Sequence, residues 1–176
     1  MIALKNILVA TDFEEAADAA LTYGRALAQA FGGTLHVLHV TDDVRLAATG
    51  AEFYVPRDPT LQAEVDEAAR VRIASLILDS DGSGPRTKTA VRTSHAPAPA
   101  IVEYAREDGI DLIVMGTHGR KALAHLLMGS VAERVVRTAP CPVLTIHHPE
   151  HEFVLPDMLA TVEKRRRGDG RAGASR

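Results

Sequence analysis

The sequence is poor in aromatic residues, has no tryptophan and carries a single cysteine. Phe, Trp and Tyr make up 4% of its 176 residues, so the core has to be built from Val, Ile, Leu and Ala. That composition suits helices packed on a parallel sheet. The lone Cys141 excludes an internal disulfide and fits a reducing compartment; set between Pro140 and Pro142, it reads as a buried or edge thiol with no catalytic task. No stretch approaches the ~20 apolar residues of a membrane span. The opening Met1-Ile2-Ala3-Leu4-Lys5 lacks the long apolar region and cleavage site of a signal peptide, so the expected location is the cytoplasm, with no membrane partner. Net charge is -3, which leaves no general attraction to nucleic acid. Two familiar phosphate motifs are also missing. Gly119-Arg120-Lys121-Ala122 has neither the leading spacing nor the hydroxyl of a Walker A loop, and there is no G-x-G-x-x-G.

What is present is an alternation of short apolar runs and helical patterns. The hydrophobic content is 46%, and no composition shift divides the chain before its last 30 or so residues, so one domain is expected. Residues 7–10 read as a first strand, buried on both faces, and Asp12 can cap the helix that follows to about Phe31, with Ala16, Ala20, Tyr23, Leu27 and Ala30 on one face. Gly32-Gly33 stops that helix. Residues 35–40 form a second strand interrupted by His36 and His39, and residues 41–60 lose periodicity and read as a long loop on the ligand side. A helix over 61–78 follows, with Val65, Ala68, Ala69, Ile73, Leu76 and Ile77 mostly inward. Residues 87–93 suit a third strand at an edge, residues 94–100 a turn that starts a helix running through Ile101, Val102, Tyr104 and Ala105 to Asp108-Gly109, and residues 112–115 and 143–146 the last two strands. Strands alternating with helices imply right-handed crossovers and an α/β, doubly wound parallel sheet with helices on both faces.

The chemistry concentrates between Met115 and Ile146. Gly116, Gly119 and the pair Gly129-Ser130 follow the fourth strand, and glycines there let a phosphate approach bare backbone N–H groups. Two such turns, 116–119 and 129–130, can grip one polyphosphate, the second with a helix N-terminus behind it. Ser130 either caps that helix or bonds a phosphate oxygen, and Arg120 and Lys121 supply charge. Asp12, at the end of the first strand, is either an N-cap or an acceptor for a ribose hydroxyl or adenine amine.

The spacing Gly116-x2-Gly119-x9-Gly129-Ser130 resembles the signature of the ATP-binding class of the universal stress protein family. Residues 5–13, 35–40, 101–105 and 141–146 resemble that family too, so the likeness covers about 1–146 as one domain and leaves 147–176 as an extension. The resemblance implies an adenine-nucleotide α-hydrolase-like fold, an open five-stranded sheet of order 3-2-1-4-5. That order brings Asp12 beside the glycine motif. It further implies that ATP, with Mg2+, is held by Ala10, Thr11, Asp12, Val40, Met115, Gly116, His118, Gly119, Arg120, Gly129, Ser130 and Val131. Adenine would lie near Val40 and Asp12, the phosphates over the glycines. A homodimer through Val143–Ile146 is implied as well.

Several residues depart from the family pattern or exceed it. His95 stands where a glycine is usual and reads as a surface loop residue; Glu14 stands where serine is common, and with Glu15 it is expected to face outward. His147, His148 and His151 lack the paired spacing of a closed metal site, and 164–167 reads as a solvated basic end. No base aimed at a water is recognisable, so a regulatory binder with slow or no hydrolysis is expected. The competing readings are a homodimeric interaction module in which nucleotide is dispensable, and an adenylating enzyme. The second would need a phosphate motif after the first strand, and residues 10–15 contain none.

Overall fold

The computed structural model describes residues 2–44, 59–78, 84–117 and 128–147. Among these, five strands alternate with four helices: β1 (Asn6–Ala10), α1 (Glu15–Phe31), β2 (Thr34–Thr41), α2 (Pro59–Leu78), β3 (Arg86–Thr93), α3 (Pro97–Glu107), β4 (Leu112–Gly116), α4 (Ser130–Thr138) and β5 (Val143–Ile146). The strands form one sheet of order β3-β2-β1-β4-β5, every pairing parallel. This is the expected doubly wound α/β sheet. Most of the 41–60 loop, and the tail from residue 148, lie outside the described residues.

Burial follows from strand position. Ile7, Leu8 and Val9 of β1 are all wholly enclosed, because the middle strand of a parallel sheet is covered on both faces. Alternate residues feed different layers. Ile7, Val9, Leu35 and Val37 pack with Ala20, Leu21 and Ala28 of α1 and Ile73 of α2. Leu8, Leu38 and Ile113 pack with Ile101, Val102 and Tyr104 of α3 and Val135 of α4. The edge role expected of β3 holds, since among the described residues it pairs only with β2.

The buried face of α1 differs from the expected one. Ala16 and Ala20 are buried, but Tyr23 is 43% exposed and Ala30 is exposed, while Ala17, Leu21, Gly24 and Ala28 turn inward. The reason is a close crossing. A Cβ on Gly24 would lie 2.3 Å from Val9 Cγ2 and 3.3 Å from Leu35 Cδ1, so the helix rests on the sheet at the one residue without a side chain. Tyr23, its neighbour, is thereby rolled outward. At the other end Gly32 adopts φ 63° and closes the helix, as a left-handed C-cap does.

Gly24→Ala should therefore be destabilising although alanine favours helix. Overpacking of about 1–3 kcal/mol outweighs a propensity gain of about 1 kcal/mol, and the urea midpoint should fall with an unchanged m-value. A midpoint equal to or above that of the unmodified protein would contradict the close crossing.

Candidate functional site

The carboxyl ends of β1, β2 and β4 open into a cavity of about 900 Å³. Its wall includes Ala10, Thr11 and Asp12 from the end of β1, Val40 from β2, Met115 and Gly116 from β4, and Gly129, Ser130 and Val131 from the start of α4. These are the expected site residues from four separate stretches, met at the switch point between β1 and β4. His118, Gly119 and Arg120 lie outside the described residues. His95, Glu14 and Glu15 are exposed and are not on the wall.

The two ends of the glycine segment are tied together. Thr117 N–H donates to Ile146 O at 2.8 Å, and Gly129 N–H donates to Thr117 O at 2.6 Å, so the chain returns to the strand end it left. Gly116 has a packing reason of its own. A Cβ there would lie 2.8 Å from Ala16 Cβ and 2.9 Å from its carbonyl carbon, so the absent side chain lets α1 close on β4.

Neither expected cap forms. The N-cap of α4 is Gly129, with φ -68° and ψ 152°, and Ser130 is the first helical residue. The serine hydroxyl is therefore not spent on capping. The first i→i−4 bond runs from Glu133 N–H to Gly129 O at 2.9 Å, which leaves the N–H groups of residues 130–132 directed out of the helix end on the cavity side. Partial positive charge collects there. Similarly, α1 is preceded by Glu14 as N-cap without a side-chain bond, and Asp12 lies outside the helix. Its Oδ1 accepts Glu14 N–H at 3.2 Å in a side-chain turn, which holds the carboxylate at the strand end.

Between Asp12 and Glu14 stands Phe13, with φ 66°, a left-handed conformation that bulky residues rarely adopt. Its N–H donates to Thr11 Oγ1 at 3.0 Å. Its ring lies between the Arg72 guanidinium, 4.3 Å from the ring centre, and the His39 ring, 4.4 Å between centroids. Arg72 also donates to Phe13 O at 3.4 Å. His39 Nδ1 is 2.7 Å from Thr11 O; a carbonyl only accepts, so Nδ1 carries the proton. Phe13, His39 and Arg72 all line the cavity, and sequence reasoning assigned none of them to it. The available signal was weak: Arg72 sits one helical turn beyond Ala68 and Ala69, which line the cavity with it.

A polar cluster docks α2 at the cavity mouth. Asp66 accepts from Thr41 Oγ1 at 2.7 Å, Gln62 Nε2 at 3.0 Å and Thr93 Oγ1 at 3.0 Å, joining the ends of β2 and β3 to the helix. Burial pushes its carboxyl up, but the three hydrogen bonds, with Arg70 nearby, together hold it below the ordinary 3.8. At the opposite edge, burial pushes the Cys141 thiol up, which keeps it protonated and a poor nucleophile near neutrality.

The model of the universal stress protein family matches residues 3–147. The chain belongs to that family. It is 35% identical over 142 residues to a universal stress protein of Thermus aquaticus, a match covering 81% of this chain and 98% of the relative. Among solved structures, the universal stress protein UspA from Lactobacillus plantarum superimposes with a TM-score of 0.66 at 31% identity, covering 83% of this chain and 99% of that one. A universal stress protein solved in complex with cAMP shares the fold, with a TM-score of 0.53 at 24% identity over 83% of this chain and 98% of that one. The family and fold expected from the sequence are thus shown.

The Asp66 cluster gives a signed pH dependence. A carboxyl with a depressed folded pKa contributes stability that is present above its unfolded value of 3.8 and lost as pH falls through the folded value. Asp66→Asn should lower the urea midpoint at pH 7 and lose less of it on acidification from pH 5 to pH 3 than the unmodified protein. Equal acid loss in both proteins would show that the cluster contributes nothing to docking α2.

Proposed function

We propose that this universal stress protein binds an adenine nucleotide, ATP with Mg2+, as a regulatory ligand in a stress response, with slow or no hydrolysis. One observation carries the reading: the cavity at the β1/β4 switch point joins a strand-end carboxylate, Asp12, to the N-terminus of α4 across a bare strand end at Gly116. Adenine and ribose would lie toward Asp12 and Val40. The phosphates would meet Ser130, Val131 and the N–H groups of the α4 end, with Gly119 and the 118–120 segment completing the grip. That a relative of the same fold was solved with cAMP supports the idea that such a fold seats an adenine nucleotide.

Among the described residues no group of three or more His, Cys, Asp or Glu is arranged to hold a metal ion. Mg2+ would ride on the phosphates with few protein ligands, a normal arrangement for that ion, and would offset their charge at the α4 end. Hydrolysis needs a positioned water and stabilisation of the transferred group, and the sequence offers no base recognisably aimed at such a water. Among the described residues no helix is long and apolar enough to cross a membrane. We place the protein in the cytoplasm, with residues 1–146 as the ligand domain, 147–176 as an appended segment, and no nucleic-acid partner.

Calorimetry with ATP, ADP, AMP and cAMP in magnesium tests this. Asp12→Ala and Gly129→Val should each weaken ATP at least tenfold while leaving the circular dichroism spectrum unchanged. No binding by the unmodified protein, or equal binding by all three, would overturn the reading.

The second reading, an interaction module, is favoured by β5. Among the described residues it pairs only with β4, so within them its other edge carries no strand, and Leu144 there is 36% exposed. We expect a homodimer through Val143–Ile146. Leu144→Asp should convert it to monomer in light scattering, and a mass unaffected by the substitution would remove β5 as the interface.

A further inference from the structure

His36 is wholly enclosed in β2, a rare place for a titratable ring, and it takes no part in the cavity. It faces α3. Its Nδ1 lies 2.9 Å from the hydroxyl of Tyr104, itself 5% exposed, and its Nε2 has no hydrogen-bond partner. The two rings meet edge to face, 5.9 Å apart at 70°. A neutral imidazole tolerates this position, because one nitrogen is satisfied and the other leaves a single group unpaired. A charged one does not. Both nitrogens would then donate, and the Nε2 proton would be buried without an acceptor, at the full desolvation cost of a charge-bearing group.

The surrounding charges do not rescue it. From β3, Lys88 is the register partner of His36 and repels a positive ring; Arg92 lies over the Tyr104 ring at 5.6 Å and is itself paired with Glu107 of α3. Asp108, at the C-cap of α3, is the one carboxylate that favours protonation. From β1 the register partner is Leu8, and α4 contributes Ala132 and Val135 to the same layer, none of them charged. Burial first, and Lys88 second, therefore hold the imidazole below 6.5 against Asp108.

The element that can give way is α3. It has 11 residues, begins at an N-cap with no side-chain bond, and carries Tyr104 on the same inward face as Ile101. Pro97 and Ile101 of that helix form part of the cavity wall. We propose that His36 is a proton-operated latch: in mild acid its protonation loosens α3 from the sheet and opens the Pro97–Ile101 wall of the cavity. With a depressed pKa in the closed form, closure is fully favoured above the free-imidazole value of 6.5 and is lost as pH falls from there toward the closed-form value. Each unit of depression is roughly a tenfold change in the closing equilibrium. The effect on a ligand rests on the nucleotide reading of the cavity, whereas the loosening of α3 does not.

Amide hydrogen exchange of residues 97–107, normalised for intrinsic rates at pH 7.5 and pH 5.5, reads the latch without any ligand. In the unmodified protein α3 should exchange several-fold faster at the lower pH, up to about tenfold, while β1 and β4 change little. His36→Leu with Tyr104→Phe, which replaces both polar partners by apolar ones, should abolish the pH response. Two charge variants outside the buried core keep the test independent of core repacking. Lys88→Gln should move the transition to higher pH, and Asp108→Asn should move it lower. A pH-independent α3, the same pH response in the double variant, or charge variants that leave the midpoint in place would each overturn the proposal. Should ATP fail to bind at any pH while α3 still responds, the latch stands and the ligand assignment falls.

Discussion

The seam between β1 and β4 is the constraint on which the rest depends. Asp111 begins it: its Oδ2 accepts Lys5 N–H at 2.7 Å and Asn6 N–H at 2.9 Å, and its own N–H donates to Asn6 O at 2.9 Å. Asn6 answers from the other strand, donating through Nδ2 to Gly109 O at 3.2 Å. With the amino ends clamped, register carries through Ile7–Leu112 to Ala10–Met115, and the carboxyl ends emerge side by side. Asp12 and the glycine segment then share one opening. The same seam requires Gly116, since α1, which follows β1, crosses the end of β4 through Ala16. One glycine thus serves both the packing of α1 and the open strand end that an anion would need.

Strand alternation divides the two histidines of β2. His36 lies in the layer of Leu8, Leu38 and Tyr104, far enough down the strand to be sealed by α3. His39, three residues on, emerges on the other face against Phe13, at the strand end where the cavity begins. The same side-chain chemistry meets opposite conditions. The first ring has no acceptor for a second proton; the second is anchored to a carbonyl that fixes its tautomer. A sequence pattern of two histidines in an apolar run cannot tell these apart, because period two says which face a residue takes and not what closes over it.

The fold was legible because its signals are local and redundant. Runs such as Ile7-Leu8-Val9 and Ile113-Val114-Met115 have the length and apolar character of doubly covered strands, and glycines mark the breaks between elements. The site was legible only through spacing. Gly116 and Gly129 do lie on the cavity wall, yet the structural reason for Gly116 is contact with Ala16, and sequence alone offered only a phosphate or a turn. For Asp12 and Ser130 the sequence left capping open, because both residue types favour the position intrinsically, while the strand ends place them one or two residues away from it. The face of α1 was misjudged because a helical wheel counts apolar residues and overlooks that a glycine marks the closest approach. Phe13, Arg72 and Asp66 were unreadable for a different reason: their roles are contacts between β1, the ends of β2 and β3, and α2.

Those contacts bear on Asp12 itself. A phenylalanine at φ 66° costs on the order of 1–3 kcal/mol and persists only where its surroundings over-determine it. Three elements converge to do so: the Thr11 hydroxyl on its N–H, His39 of β2 on one side of its ring, and Arg72 of α2 on its ring and carbonyl. The turn that presents Asp12 is consequently held partly by α2. That helix is in turn docked through Asp66 to Thr41 and Thr93, at the ends of the two strands farthest from the glycine segment. The cavity therefore has two supports on opposite faces of the sheet, α2 behind Phe13 and α3 behind Ile101. Anything that shifts either helix reaches the strand end where Asp12 and the first turn of α4 meet.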